Sequence, residues 1–130
     1  MIDDNIIQAV WDKGYVVDGY PSTVIRKDSC GAWIVRTLYG VENNVFGWNI
    51  DHVYPKSKLL EMNVSEDRID DILNLRPMNC ANNLSKSDSY PFYHSRYVSD
   101  GETNIENDKV FEINKELQNK LSELYNDKSV

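Results

Sequence analysis

Apolar and polar positions alternate along the chain with changing periods, and each period predicts an element. Between Asp4 and Trp11, the residues Ile6, Ile7, Val10 and Trp11 form one stripe at helical spacing, and Gly14 follows as a stop, so a short helix is expected. Thr23-Val-Ile-Arg26 and Trp33-Ile-Val-Arg-Thr-Leu38 are rich in β-branched and aromatic residues and flank Lys27-Asp-Ser-Cys-Gly31, which predicts a β-hairpin. Residues 39–47 carry glycines and paired asparagines and read as a loop. The loop leads into a strand-like run, Trp48-Asn-Ile-Asp-His-Val-Tyr54, closed by Pro55. Residues 56–73 show no clean period and are expected to form a long connection with room for one helical turn. Asn74-Leu-Arg-Pro-Met78 follows as a short strand, in which Pro77 argues for an edge position. Asn79–Lys86 predicts a helix of about two turns. The aromatic stretch Tyr90–Tyr97 has no period, and residues 99–108 are expected to be a polar linker. Val110, Ile113, Leu117, Leu121 and Leu124 predict an amphipathic helix over about 109–125.

At 130 residues the chain has the length of one domain, read as 1–130, with enough apolar sequence to bury a core. No apolar run is long enough to span a bilayer, and the N-terminus carries acids where a secretory signal carries positive charge. No membrane association and a cytoplasmic location are therefore expected. Cys30 and Cys80 are too few for a disulfide scaffold, and neither sits in a CxxC pair, so free, partly buried thiols are expected. Twenty-one acids against 14 bases give a formal charge of −7, which alone argues against a phosphate-rich partner.

The chemistry-bearing residues concentrate elsewhere. Gly47-Trp-Asn-Ile-Asp51-His52-Val-Tyr-Pro55 is followed by Asn74-Leu-Arg76-Pro77 and then by Asn82-Asn83-Leu-Ser-Lys86-Ser-Asp88. Together these offer one carboxylate, one imidazole, amides and an ammonium. On a regular strand Asp51 and His52 point to opposite faces unless the strand ends or bulges between them, as Pro55 favours. A hard cation such as Mg²⁺ needs oxygen ligands and keeps several waters, so Asp51 and an amide oxygen from Asn83 suffice as protein ligands. A histidine with an ordinary pKa of about 6.5 is suited to accept a proton from water, and His52 has this role open to it.

This constellation resembles the HNH, or ββα-metal, endonuclease family. The likeness is carried by Ile50-Asp51-His52 with Pro55, by Asn74-Leu-Arg-Pro77 some twenty residues on, and by Asn83-Leu-Ser-Lys86-Ser-Asp88. This last run is similar to the NxxKxD segment in the HNH domains of RNA-guided CRISPR effector nucleases. The motif core spans 47–88, and Arg26–Gly31 with Tyr39-Gly40 extends the likeness upstream. The resemblance implies an α+β fold with a ββα-metal (His-Me finger) core, to which an N-terminal helix, a β-hairpin and a C-terminal amphipathic helix are added. It implies DNA as substrate and a divalent ion, Mg²⁺, Mn²⁺ or another, held by Asp51 and Asn83. His52 would be the general base, and Asn74 would orient the His52 loop or imidazole. Lys86, Arg76 and Arg26 are the expected phosphate contacts. Asn79 and Asn82 stand where zinc-bearing members carry cysteines, so no structural zinc is expected and packing must hold the small fold, with the acidic loop and outer helices as candidate supports.

Plainer roles are open to the same residues. Asp51 can be a strand-end cap, His52 a satisfied buried histidine and Asn79 a helix N-cap. Arg26 and Asp28 can form a surface ion pair, and His94, Arg96 and Tyr97 either line a groove or pack in the core. The C-terminal stripe either packs on the body or offers a face for self-association or a protein partner. An acidic HNH-derived binding or inhibitor module, or a subunit of a larger nuclease or defence complex, is the competing reading of the whole chain. Split by segment, residues 23–60 and 72–99 each carry a net +2, against −11 for the remainder. One basic, metal-bearing face on an otherwise acidic molecule is therefore expected.

Overall fold

The computed structural model describes residues 2–125 and is a mixed α+β structure of small antiparallel sheets and helices. Helix α1 (Asp4–Trp11) opens under the Asp3 side chain, which accepts a hydrogen bond from the Ile6 N–H and so satisfies one of the free donors of the first turn. It buries Val10 and Trp11. Strands β1 (Ile25–Lys27) and β2 (Trp33–Val35) pair antiparallel, Arg26 opposite Ile34, around a turn in which Gly31 takes φ +83°, a region costly for any residue with a Cβ. The hairpin is shorter than expected because residues 36–38 turn into a single 3₁₀ turn.

Strands β3 (Trp48–His52) and β4 (Leu75–Asn79) form the second antiparallel pair, with Asp51 opposite Arg76 and His52 opposite Leu75. Gly47 precedes β3 because the carbonyl of Val41 lies 1.7 Å from where a Cβ would stand, so no side chain fits. Helix α4 (Cys80–Lys86) follows β4 directly, capped by Asn79, whose side-chain oxygen accepts from the Ala81 and Asn82 N–H groups. Residues 56–73 are more ordered than their pattern suggested. They contain α2 (Lys56–Glu61), α3 (Glu66–Ile69) and a 3₁₀ turn at 72–74, because Leu59, Val64 and Ile69 anchor these short pieces in the core. Tertiary burial here replaces the periodicity that such short helices cannot display.

The expected linker at 99–108 is a hairpin. Strands β6 (Tyr97–Asp100) and β7 (Thr103–Glu106) pair around the two-residue loop Gly101-Glu102, and β5 (Phe92–His94) pairs with β8 (Val110–Glu112) outside it. Gly101, at φ +60° in the first loop position, carries the turn, while the polar residues of both strands give no apolar alternation to mark them. Helix α5 (Lys115–Tyr125) accordingly starts later than expected. Val110 lies exposed in β8, whereas Leu121 and Tyr125 are buried and Leu117 and Leu124 lean on the same core. The stripe thus packs on the body of the protein.

Two apolar clusters result. Val10, Trp11, Ile34, Trp48 and Leu75 join α1 to the first two sheets, with the Trp11 and Trp48 rings 5.2 Å apart. Val53, Leu59, Ile69, Met78, Tyr93, Ile113, Leu121 and Tyr125 form the other, which gathers the C-terminal half. Among the described residues no helix is long and apolar enough to cross a membrane.

A buried carboxylate joins the hairpin to β4 and α4. Asp28 Oδ1 accepts from the Cys30 and Ala32 N–H groups, and its Oδ2 accepts from the Asn79 N–H and from Asn82 Nδ2. Asn82 continues the network, its Oδ1 taking the N–H groups of Arg96 and Tyr97. Asp28 is therefore a structural hub and not half of a surface ion pair. Cys30 and Cys80 are both free and buried.

Candidate active site

β3 stops at His52, and at that strand end Asp51 and His52 border the same open cleft of about 300 Å³. Asn83 and Ser87 of the α4 side, Lys56 from the start of α2, and Asp88 complete its wall. Both residues lie within β3, opposite Arg76 and Leu75, so the strand does not end or bulge between them as expected; the cleft at its end borders both. Past α4 the chain turns sharply. Ser87 has φ +50°, and the Ser89 N–H returns to the Lys86 carbonyl, which puts Ser87 and Asp88 at the cleft edge. A second groove of about 410 Å³, lined by Glu42, Asn49 and Leu84 among others, meets the cleft at Asn83.

Asp51 is buried, yet it is charge-balanced. Arg76 Nε donates to its Oδ2 at 2.8 Å, and Lys86 Nζ lies 3.3 Å from its Oδ1. Lys86 also donates to the carbonyls of His52 and Val53 at 3.1 and 3.2 Å. With 0% of its surface exposed, Lys86 cannot touch a phosphate; it supports the backbone beneath the imidazole and adds positive charge under the cleft floor. Burial pulls the Lys86 ammonium below its ordinary pKa, with Asp51 opposing. Burial likewise works against the Arg76 guanidinium, but Asp51 and Tyr93 outweigh it and hold the group charged. Arg76 is therefore an internal partner of Asp51, stacked 5.1 Å over Tyr93, and not a surface phosphate contact.

Arg26 lies elsewhere. Its guanidinium donates to the carbonyls of Ser22, Asp12 and Gly14 and packs over Trp11, which ties α1 to the hairpin and leaves it away from the cleft. The three cations expected to meet substrate are thus consumed inside the fold, and the basic face is reduced accordingly. Lys56, exposed at the cleft rim, is the cation there that faces solvent.

Asn74 is fully buried. Its Oδ1 accepts from the Tyr54 N–H at 2.7 Å, and its Nδ2 donates to the carbonyls of Tyr54 and Ile69. It braces the loop that follows His52 and does not reach the imidazole. The imidazole partner is a residue that sequence reasoning missed: Asp70, whose Oδ1 is 2.8 Å from His52 Nε2. Asp70 lay inside a run of acids, and nothing in that run singled it out from Glu66, Asp67 or Asp71.

Asn83 Nδ2 donates to Asn49 Oδ1 at 2.7 Å and to the Ile50 carbonyl at 3.3 Å, which holds the amide against β3. Among the described residues its Oδ1 has no hydrogen-bond partner. Among the same residues no group of three or more His, Cys, Asp or Glu side chains is placed to hold an ion. Asp51 and Asn83 instead offer the smaller set of hard oxygens on one cleft that a well-hydrated divalent cation takes, and in that sense the residues fit it. His94, Arg96 and Tyr97 do not contribute to this cleft: His94 pairs with Asp108 and Arg96 with Glu106 on the outer hairpins.

No protein-family model, curated protein or solved structure matches the chain.

Proposed function

We propose that β3, β4 and α4 are the ββα-metal unit of an HNH-type endonuclease and that the cleft at the end of β3 hydrolyses phosphodiester bonds of DNA. The observation that carries this reading is the gathering of Asp51, His52 and Asn83, which are 32 positions apart at the extremes, on one open cleft. Their order in the chain is the order the resemblance requires, and the Asp28 hub ties the hairpin to the end of β4 and to α4, two of the elements of the unit. An open cleft that continues into a neighbouring groove along α4 suits a polymer, which must pass through the site and not be enclosed by it.

In this reading His52 takes a proton from water through its remaining ring nitrogen, Nδ1. The hydroxide attacks phosphorus, the bond to the 3′ oxygen breaks, and that oxygen takes a proton from solvent, leaving 5′-phosphate and 3′-hydroxyl ends. Asp51 and Asn83 would hold a divalent ion of the Mg²⁺ or Mn²⁺ kind, whose chemistry is to offset charge on the departing oxygen. Asn74 and Lys86 keep the backbone from His52 to Tyr54 in place, so that the imidazole and Asp51 approach the same phosphate. The buried group of Asp51, Arg76 and Lys86 carries more positive than negative charge, which favours a phosphate above it.

The test is nicking of supercoiled plasmid by the purified chain in Mg²⁺ or Mn²⁺, against the same reaction in EDTA. His52→Ala is expected to lower the rate by more than about 1,000-fold with an unchanged melting temperature, in line with losing a general base. Equal cutting by wild type and His52→Ala sinks the reading.

A further inference from the structure

Asp70 contributes no ligand and faces no substrate in the reading above, yet its carboxylate hydrogen-bonds the imidazole. We infer that Asp70 is a positioning residue for His52: its Oδ1, 2.8 Å from Nε2, holds the ring proton on Nε2 and leaves Nδ1 as the proton acceptor directed to the reaction. This rests on the nuclease reading of the cleft and adds to it the device that sets the base.

The first support is the chemistry of the pair. A carboxylate has only acceptors, and a neutral imidazole has one donor and one acceptor, so the nitrogen facing Asp70 is the one that carries hydrogen. A second support is shielding. The His52 and Asp70 side chains keep 23% and 17% of their surface, whereas the other such pair, His94 with Asp108, keeps 58% and 78%. A pair in contact with bulk water is loosened by competing hydrogen bonds; a half-buried one is held.

The third support is the mounting of Asp70. It follows α3 directly, and its own N–H returns to the Glu66 carbonyl. The Ile69 carbonyl just before it receives Asn74 Nδ2 and the Tyr125 hydroxyl, at 3.2 and 3.3 Å. The same hydroxyl donates to the Arg68 carbonyl at 2.7 Å, and Arg68 reaches back to the Leu124 carbonyl. The final turn of α5 thereby clamps α3 from outside while Asn74 holds it from within. Asn74 braces both the loop after His52 and the residue before Asp70, so the two halves of the pair share one support. The acidic segment 61–71 is thus the seat of the imidazole's partner.

The chain has two histidines, so its imidazole nitrogens can be assigned directly. The experiment is a long-range ¹H–¹⁵N spectrum of the full chain labelled at histidine, run beside plasmid cutting. His52 is expected to be protonated on Nε2 with a slowly exchanging ring N–H signal. In Asp70→Ala that signal merges with water while the His94 signals stay in place, and kcat falls about 10- to 100-fold at unchanged KM. Asp70→Asn, whose amide oxygen can still accept, retains the signal and part of kcat; this variant decides the matter if Asp70→Ala does not fold. Protonation of wild-type His52 on Nδ1, or an Asp70→Ala protein with signal and kcat both intact, overturns the inference. A chain that cuts DNA with the wrong nitrogen protonated loses the Asp70 role and keeps the nuclease reading. A chain with the Nε2–H signal but no metal-dependent cutting loses the nuclease reading and keeps the pairing.

Discussion

Asp28 and Asp51 are the two buried acids among the described residues, exposed by 1% and 2%, and they are satisfied in opposite ways. Asp28 is met by four uncharged N–H donors from the hairpin turn, the end of β4 and α4, two on each oxygen. Burial pushes its carboxyl upward, and those four donors pull against that shift. Its acceptor capacity is spent within the fold. Asp51 is met by two cations, one at close range and one at 3.3 Å, beside an open cleft. Its charge is balanced but its oxygens are not filled. The contrast separates a carboxylate that closes a structure from one that keeps the means to bind something further.

The largest effect should come from disturbing the charge balance at Asp51. Lys86→Met keeps the unbranched apolar stem but removes the ammonium, leaving the His52 and Val53 carbonyls without this donor and Asp51 with Arg76 alone. A loss of about 3 kcal/mol of stability is expected, because a partner is being removed from a buried ion pair. Urea unfolding measures it, and a variant as stable as wild type would show that Lys86 contributes nothing to Asp51. On the proposed nuclease reading, the folded variant should also cut DNA more slowly than wild type.

Asp28→Asn sharpens the comparison from the other side. The replacement sets an NH₂ group against N–H donors, and about 2 kcal/mol of stability should be lost through the unsatisfied groups. On the proposed nuclease reading, plasmid cutting per molecule of folded protein should stay within a few-fold of wild type, since Asp28 does not border the cleft. A stable but inactive Asp28→Asn protein would break the distinction drawn between the two acids.

The smallest effect concerns the thiols beside the hub. Burial, aided by Asp28, pushes the Cys30 thiol up to about 12, and burial with Glu42 pushes Cys80 up to about 11. Because the thiolate is the reactive form, native protein at pH 8 should be modified at least about 100-fold more slowly than protein unfolded in urea. Fast labelling of the native protein with a thiol reagent would contradict a closed hub.

Local signals were sufficient for much of this architecture. The Asp4–Trp11 stripe, the Asn79 cap with its helix, and the β3 and β4 runs are each set by neighbours in the chain, so periodicity and capping residues expose them. Asp51, His52 and Asn83, singled out by their order in the chain, line one cleft. The helices between 56 and 73 were not legible, since Leu59, Val64 and Ile69 become a core only against residues such as Ile113 and Leu121. The β6–β7 hairpin was hidden by its polar strands, although Gly101 marked its turn.

Charge was the hardest property to read from composition. Counting bases by segment marked 23–60 and 72–99 as basic, but a count cannot say where a long side chain turns. Arg26 turns toward three carbonyls, Arg76 toward Asp51, and Lys86 toward Asp51 and the backbone under His52. The identities and order of the candidate groups are properties of the chain, written in residues near one another in sequence. Which acid meets the imidazole, and that Arg76 and Lys86 turn to Asp51, follow from contacts between residues 18 to 35 positions apart, where burial and hydrogen-bond geometry choose among chemically equivalent side chains.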